Sequence, residues 1–286
     1  MKREKFAAVF FAAAIVLAFA ASAGAVDGTI EINQAKVLAV SGFPFIISNP
    51  GSYRLTGNLT APASTSGINV TAPHVTIDLN GFLITGPGTL SGVVNGISAQ
   101  GIGDVTVENG TLTGFGDGVD VGSFGIVRNV HADANGVGIE VGNNSVVEGC
   151  TANNSTSIFG IFCSAACAIS GNTANGNPGQ GIDCSGNGCL ISGNTADANS
   201  THGIECNGSG CVISGNTVVA NSDIGIYCAG SGCLISDNAV FANNFGIAAG
   251  DTSTGYRGNV LKNTSANVSP GSGTSLGNNL CSGTAC

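Results

Sequence analysis

Short apolar stretches recur at nearly constant intervals along most of the chain, and each begins with the same motif. The motif is Gly-Ile-x-(Val/Cys/Ala), with Val119 in place of Ile once, and its successive spacings are 29, 22, 20, 22, 21, 22, 22 and 21 residues. It begins at Gly67, Gly96, Gly118, Gly138, Gly160, Gly181, Gly203, Gly225 and Gly246. A fixed period of this length is typical of repeat proteins, in which each unit stacks on the next.

One unit, residues 203–223, shows how the repeat divides into three short strands. Residues 203–206, 211–213 and 217–220 have the pattern of short strands, and turns rich in Gly, Asn and Ser separate them. Alternation at period two places Ile204 and Cys206 inside and Glu205 outside. The unit is too short for a pair of helices and has no helical stripe. The pattern predicts an all-β, single-stranded right-handed parallel β-helix, a solenoid of about nine coils of about 22 residues.

The repeat divides the chain into four predicted segments. Residues 1–25 combine a basic start, an uncharged apolar run and small residues, which is typical of a secretory signal peptide. Residues 26–66 should form an N-terminal cap, because the open edge of a parallel sheet needs cover. Residues 67–262 form the β-helix, and residues 263–286 form a C-terminal cap or tail with a Cys pair. We therefore expect a secreted protein (extracellular, cell-surface or periplasmic) with no membrane span in the mature chain.

Asparagine recurs at one position of the second turn of the unit, each time after Gly or Asp. Stacked Asn amides can bond to each other and to turn carbonyls. Asn also suits turns because it tolerates unusual dihedral angles. Both interpretations are structural, so the sequence predicts a structural Asn ladder at Asn172, Asn194, Asn216 and Asn238.

The chain has 11 cysteines, and ten of them form pairs four or five residues apart. In a secreted protein this pattern favours disulfides, here within one coil across the first turn. The predicted bridges are Cys163–Cys167, Cys184–Cys189, Cys206–Cys211, Cys228–Cys233 and Cys281–Cys286. A bridge between coils, such as Cys184 to Cys206, is the alternative, although parallel stacking points both Cβ atoms the same way. Cys150 remains a buried free thiol. The spacing disfavours zinc, so no metal site is assigned.

Charge narrows the range of partners. The chain carries 17 acidic and 8 basic residues, for a formal net charge of −9. Proteins that bind nucleic acid cluster Lys and Arg against the phosphates. Nucleic acid is therefore excluded as a partner, and anionic polysaccharides are disfavoured for the same reason.

The outward position of the first strand carries the candidate chemistry. Asp183 and Glu205 should lie one coil apart, close to the separation of about 5 Å between the carboxyls of retaining glycosidases. They are weak catalytic candidates. Aromatic side chains in the same column could stack on sugar rings, and carboxylates could bind calcium. The predicted binding face is Asp120, Glu140, Phe162, Asp183, Glu205 and Tyr227. A plain solvated surface is the alternative interpretation.

The second strand of the unit has an apolar residue at its outward position in consecutive coils. Leu190, Val212 and Leu234 should stack in one exposed column, which soluble proteins rarely leave uncovered. The column predicts self-association or burial against another surface component or the C-terminal segment. A bulge at the bridged turn would instead turn these side chains inward.

Residues 67–262 resemble the secreted right-handed parallel β-helix proteins of bacteria, the repeat class shared with pectate lyases and polygalacturonases. Residues 47–55 and 75–81 look like the start of the helix in such proteins. The catalytic motifs do not carry over: Asn172-Thr173-Ala174 lacks the Asp of the polygalacturonase motif, and no Gly-His-Gly occurs. Within the coils before Lys262, only Arg128 and Arg257 could act as the base of a pectate lyase. The resemblance therefore implies the fold and leaves the activity open.

These observations predict a secreted, disulfide-clamped β-helix that acts as a non-catalytic glycan-binding or structural module. The alternative is a polysaccharide-degrading enzyme, a glycoside hydrolase or lyase, that uses the carboxylates on the outer face of the first sheet. No cofactor is assigned, and calcium is the one ion that the acidic column suits.

Overall fold

The computed structural model describes residues 28–88, 94–270, 272–282 and 284–285. The predicted signal peptide, residues 1–25, lies outside the described residues. The described chain winds into a parallel β-solenoid around one continuous apolar interior. Among its described segments, none is a helix with the length and hydropathy needed to cross a bilayer.

Three parallel sheets form the walls of the solenoid, and consecutive strands in each sheet come from consecutive coils. Sheet 1 contains β2 (Phe45–Ile47), β5 (Ile68–Val70), β8 (Ile97–Ala99), β10 (Asp117–Val121), β12 (Val137–Val141), β15 (Ile161–Cys163), β18 (Ile182–Cys184), β21 (Ile204–Cys206), β24 (Ile224–Cys228), β27 (Phe245–Ala249) and β30 (Ala266–Val268). Two longer strands, β9 (Val105–Thr113) and β11 (Ile126–Asp133), run through both other sheets.

The remaining strands complete the other two walls. Sheet 2 also contains β1 (Thr29–Ile32), β3 (Gly51–Leu55), β6 (Val75–Asp78), β13 (Val146–Glu148), β16 (Ala168–Ser170), β19 (Leu190–Ser192), β22 (Val212–Ser214), β25 (Leu234–Ser236), β28 (Gly255–Arg257) and β31 (Thr274–Ser275). Sheet 3 also contains β4 (Leu59–Thr60), β7 (Leu83–Thr85), β14 (Thr151–Asn153), β17 (Thr173–Asn175), β20 (Thr195–Asp197), β23 (Thr217–Val219), β26 (Ala239–Phe241), β29 (Val260–Lys262) and β32 (Leu280–Cys281), followed by the antiparallel β33 (Thr284–Ala285).

The solenoid has eleven coils, two more than the nine predicted. The additional coils lie outside the predicted limits of 67–262: β2 pairs with β5 at one end, and β30 pairs with β27 at the other. Neither additional strand carries the Gly-Ile motif on which the prediction rests. The pattern fails at the ends because a terminal strand pairs on one side only, so its sequence is less constrained than that of an inner coil.

The Ile of the motif stacks inside sheet 1, as predicted. All members of this column are fully buried and pair in register along the solenoid, so alternation at period two places them correctly. The column consists of Ile68, Ile97, Val119, Ile139, Ile161, Ile182, Ile204, Ile226 and Ile247.

The structure contains an Asn ladder at the turn between sheets 2 and 3. Asn194 Nδ2 donates to Ile169 O at 2.9 Å and to Asn216 Oδ1 at 3.0 Å, while its own Oδ1 accepts from the backbone N–H of Asn172 at 2.9 Å. The ladder runs further than predicted, through Asn259 to Asn279. At its other end the position is occupied by Cys150, whose backbone N–H donates to Asn172 Oδ1.

A second Asn ladder lies at the turn between sheets 3 and 1, and the sequence interpretation missed it. Asn199 Nδ2 donates to Ala174 O at 3.1 Å and to Asn221 Oδ1 at 2.8 Å. Its first four members share the 22-residue period that identified the first ladder, so the signal was present in the sequence. The members of the ladder are Asn177, Asn199, Asn221, Asn243 and Asn263.

A short helix covers the first coil. Helix α1 (Gln34–Val40) buries Val37 completely in the apolar interior and leaves Leu38 in solvent. The Gln34 side chain accepts a hydrogen bond from the backbone N–H of Thr60 and donates one to the Thr60 carbonyl. The helix thereby satisfies backbone groups at the free edge of β4, where no further strand of the described chain pairs.

The apolar column of sheet 2 faces outward. Leu190 is exposed, and Val212 and Leu234 are half-buried and in register with it, so no bulge turns the three side chains into the interior. Self-association through this column stays a prediction.

Candidate functional site

The outer face of sheet 1 brings the predicted binding residues into one column. Strand register places them on six consecutive coils, in the order Asp120, Glu140, Phe162, Asp183, Glu205 and Tyr227. Since neighbouring strands lie about 4.8 Å apart, the column is about 24 Å long. It forms one continuous strip rather than an isolated pocket.

Three carboxylates of this column are far less exposed than their outward position predicts. Asp120, Asp183 and Glu205 expose 5%, 4% and 7% of their surface. Two of them bond to the residue just before the Gly of the motif, Asp120 to Asn95 and Glu205 to Gln180, whereas Asp183 bonds to Asn207. The residues just before each motif Gly form a neighbouring column, which includes Asn95, Asp117, Phe159, Gln180 and His202. An expectation of solvated acids is therefore wrong for these three residues.

The 180–227 cluster, which consists of Gln180, Asp183, His202, Glu205 and Tyr227, contains the most varied chemistry. Gln180 Nε2 donates to Glu205 Oε2 at 2.6 Å. His202 Nε2 lies 4.0 Å from the same oxygen. The ring of His202 meets that of Tyr227 edge to face, with the centroids 5.5 Å apart. A carboxylate, an imidazole and a phenol thus meet on three adjacent coils.

His202 is oriented by the backbone. The N–H of Ile224 donates to His202 Nδ1 at 3.3 Å, which assigns the proton of a neutral ring to Nε2, on the side of Glu205. The sequence pattern missed His202 as a site residue because its column, one position before the motif Gly, was not recognised as outward-facing.

Burial raises the pKa of the Asp183 carboxyl to about 7, and the adjacent charge of Glu205 adds to the effect. Asn207 Nδ2 donates to Asp183 Oδ1 at 3.2 Å, which acts in the opposite direction. A carboxyl with this pKa exchanges its proton near neutral pH, which is the range in which a general acid or base is effective.

The 95–140 cluster, which consists of Asn95, Asp117, Asp120 and Glu140, lies further along the same face. Burial raises the pKa of Asp120 to about 7, with contributions from the charges of Glu140 and Asp117. Burial also raises the pKa values of Asp117 and Glu140. Asn95 Nδ2 donates to Asp120 Oδ2 at 3.2 Å, and within the described chain its buried Oδ1 has no partner. A cleft of about 260 Å³ opens beside Asp120 and Glu140.

Aromatic rings separate the two acidic clusters. Phe162 lies in register between Glu140 and Asp183, and its ring centroid is 5.1 Å from that of Phe159. Both rings are partly exposed. The face therefore alternates polar, aromatic and polar along the solenoid axis.

The eight cysteines of the four bridges lie at the corner between sheets 1 and 2, away from this face. Four of the predicted bridges are present, Cys163–Cys167, Cys184–Cys189, Cys206–Cys211 and Cys228–Cys233. The predicted bridge Cys281–Cys286 involves a residue outside the described part of the chain. Cys150 is a buried free thiol, and burial raises its pKa to about 11. It is therefore a protonated and unreactive packing residue.

Several solved structures share the fold at low sequence identity. The mannuronan C-5 epimerase AlgE4 A-module of Azotobacter vinelandii has a TM-score of 0.62 and 17% identity, over 90% of this chain and 85% of that one. The periplasmic alginate epimerase AlgG has a TM-score of 0.65 and 14% identity, over 87% and 82%. Pectate lyase Pel9A has a TM-score of 0.52 and 15% identity, over 89% and 76%. At these identities the likeness shows the right-handed parallel β-helix fold alone.

Sequence comparison identifies the family. No curated protein is significantly similar to this chain. Residues 74–279, which span most of the solenoid, match the family described as NosD, periplasmic copper-binding protein. The chain therefore belongs to the NosD family of β-helix proteins.

Proposed function

We propose that the protein binds a polysaccharide along the outer face of sheet 1, in an extracytoplasmic compartment. The observation that carries the proposal is the strip of about 24 Å on which two polar clusters flank Phe162. Buried carboxylates and amides can exchange directional hydrogen bonds with sugar hydroxyls, and an aromatic ring can stack on the apolar face of a sugar.

The structural neighbours are consistent with this substrate class. They include an alginate epimerase, a mannuronan epimerase and a pectate lyase, all named for polysaccharides. The net charge of −9 nevertheless favours a neutral glycan over these anionic ones. Calcium could offset the charge of the 95–140 cluster, because carboxylate and amide oxygens are the ligands that it prefers.

A glycan array, probed with and without calcium, tests the proposal. We expect binding to a neutral glycan, and F162A should weaken it about tenfold because the stacking surface is lost. Phe241, which is also half-buried but lies outward on sheet 3, gives the matched control F241A. Equal effects of the two substitutions, or no bound glycan, would contradict the proposal.

Acid–base chemistry on a bound polysaccharide is a second candidate function, and the pKa of Asp183 near 7 favours it. In this role Asp183 transfers a proton, Glu205 assists as the neighbouring carboxylate, and His202 and Tyr227 contact the reacting sugar. D183N should then abolish product formation but leave glycan binding intact. If the parent chain binds the glycan but forms no product, the acid–base function is contradicted and the non-catalytic binding function remains.

The description of the matched family includes copper binding. The described residues provide only part of what a copper site requires. His74, His131 and His202 lie on separate coils. Within the described chain, the groups of three ligand atoms close enough to share an ion consist of cysteine sulfurs. These sulfurs are joined in disulfides and offer no thiolate, so copper binding by the oxidised chain is not included in the proposed function.

A further inference from the structure

The outer face of sheet 2 has an uncharged stretch over four consecutive coils. Each strand there has two outward positions, one apolar and one occupied by Ser, on either side of a buried residue. Leu190, in the apolar column, exposes 45% of its surface. Soluble proteins rarely leave such a column in contact with water, so the stretch has the character of an interaction surface. Its residues are Ala168, Leu190, Val212 and Leu234 in the apolar column and Ser170, Ser192, Ser214 and Ser236 in the other.

Charges of opposite sign lie at the two ends of the uncharged stretch. Glu148 is in register with Ser170 at one end, and Arg257 is in register with Ser236 at the other. Both charged residues are exposed, and within the described chain neither has an ion-pair partner. Since neighbouring strands lie about 4.8 Å apart, about 24 Å separate the two residues. An unpaired anion and an unpaired cation are therefore equally far from the centre of the stretch.

The C-terminal segment does not cover this surface. Its described residues form β30, β31 and β32, which pair with the preceding coil and continue the solenoid. Leu190 stays exposed, so a cover has to come from another molecule. The arrangement of the two charges indicates which molecule that is.

We propose that a second copy of the chain covers the uncharged stretch, bound face to face with its solenoid axis reversed. A two-fold rotation about the strand direction, through the centre of the stretch, places each coil opposite the coil equally far beyond the centre. Glu148 of each copy then lies opposite Arg257 of the other, which gives two identical ion pairs. Between these pairs, Leu190 packs against Val212 of the second copy, and serines face serines.

The same charges argue against a dimer with parallel solenoid axes. In that arrangement each coil would lie opposite its own equivalent, so Glu148 would approach Glu148 and Arg257 would approach Arg257. Like charges that meet at an interface are unfavourable. Asp237, in the turn after Ser236, lies opposite the uncharged turn at Gly171 when the axes are reversed. The reversed dimer thus pairs opposite charges without placing like charges opposite each other.

The size of the surface sets the strength of the dimer. The stretch is about 24 Å long and one sheet wide. This is small for a specific protein–protein interface, so we expect dissociation in the micromolar range. The rotation leaves the outer face of sheet 1 uncovered in both copies. The dimer is therefore independent of the proposed glycan binding.

Sedimentation equilibrium of the full chain, over concentrations up to about 1 mM, tests the dimer. The parent should show a monomer–dimer equilibrium. L190D places a charge at the centre of the stretch and should weaken association about tenfold or more. V260D places the same charge at a similarly exposed position, 41%, on the outer side of sheet 3 and should associate like the parent. Circular dichroism checks that both variants fold.

Charge reversal tests the direction of the second copy. E148R alone would place Arg opposite Arg257, and R257E alone would place Glu opposite Glu148. Each variant should therefore dimerise about tenfold or more weakly than the parent. An equimolar mixture of the two variants restores both ion pairs between unlike chains and should recover the association of the parent. The double variant E148R/R257E should recover it with a single kind of chain.

Three results would overturn the inference. The first is a parent chain that stays monomeric at every concentration. The second is an equal loss of association in L190D and V260D. The third is a mixture of E148R and R257E that associates no better than either variant alone. If L190D does not fold, this mixture decides the question. Glycan binding should be the same in all folded variants, so a failure of the dimer is distinguishable from a failure of the proposed function.

Discussion

At the scale of single residues, Asp120 and Asp183 differ from most other carboxylates of the chain in how little water reaches them. Both lie on strands of sheet 1, between side chains of the neighbouring column and the next coil. Desolvation disfavours the charged form, and a second carboxylate nearby acts in the same direction. The same aspartates that could take part in proton transfer are therefore a source of instability when ionised.

The raised pKa values predict that stability falls as pH rises. An unfolded Asp has a pKa of about 3.9, whereas Asp183 in the folded chain has a pKa of about 7. The protonated form thus stabilises the fold fully below about pH 4, and this contribution is lost as pH rises to about 7. Each such group contributes a slope of up to about 1.4 kcal/mol per pH unit. Urea unfolding at pH 5 and pH 8 should show greater stability at pH 5.

D183N isolates the part of this dependence that belongs to one residue. The amide stays neutral at every pH and its oxygen can still accept from Asn207, so D183N should be more stable than the parent at pH 8, more stable by a smaller margin at pH 5, and similar to it only below about pH 4. D197N, on the outer side of sheet 3, is the control and should leave the pH profile unchanged. A D183N chain that is destabilised equally at both pH values would show that partners stabilise the charged form.

At the scale of elements, hydrogen bonds join neighbouring coils at the turns as well as along the strands. A buried turn must pair its backbone groups, and the Asn side chains do this at two corners of each coil between Asn172 and Asn263. Every inner Asn donates to the previous coil's carbonyl and accepts from that coil's Asn, as Asn194 and Asn199 show. These ladders join the coils at positions where the sheets themselves are interrupted.

Removing one inner Asn should therefore destabilise the whole solenoid. N194A leaves the backbone N–H of Asn172 and the carbonyl of Ile169 without their partner in a buried turn. Each unsatisfied group costs about 1–3 kcal/mol, so a loss of about 3 kcal/mol is expected in urea unfolding. N175A, on the half-buried outward side of β17, should change stability by less than about 0.5 kcal/mol. If N194A and N175A lose comparable stability, the loss reflects the removal of Asn in general and not the hydrogen bonds of the ladder.

At the scale of the whole molecule, the two ends of the solenoid pose a different problem from its middle. Each inner coil pairs on both sides, whereas a terminal coil exposes a row of unpaired backbone groups that invites another chain. Helix α1 covers one end by burying Val37 and by pairing Gln34 with both backbone groups of Thr60.

Disrupting the packing of helix α1 should expose the terminal strand edge and allow it to pair with another copy of the chain. V37D forces a charge into a fully buried site, and we expect a loss of several kcal/mol in the local stability of the cap. Concentration-dependent association should follow, measured by analytical ultracentrifugation. L38D places the same charge on the adjacent, exposed position of the helix and should stay like the parent. Unchanged association in V37D would show that the edge needs no cover.

The period of the sequence was enough to predict the architecture, the stacked Ile column and the bridges within coils. Each depends on a local rule that repeats, such as alternation at period two. The end coils escaped prediction because β2 and β30 lack the motif. The chemistry of the outer face of sheet 1 was not predicted either. The burial of Asp183 and the position of His202 depend on how the residues just before each motif Gly lie against the outward column of sheet 1. The three-dimensional course of the turn before each Gly sets that arrangement.

Coil stacking has a consequence for how such a protein can evolve by duplication of its repeat. Because a coil contacts only its two neighbours, a duplicated unit of 22 residues can be inserted between existing coils without new contacts elsewhere. Each insertion would lengthen the outer face by about 4.8 Å and add one disulfide to the bridges that repeat from coil to coil. The near-identical units around Cys184, Cys206 and Cys228 have the form that such duplications leave. The length of the ligand that fits and the number of sulfurs would then grow together, one coil at a time.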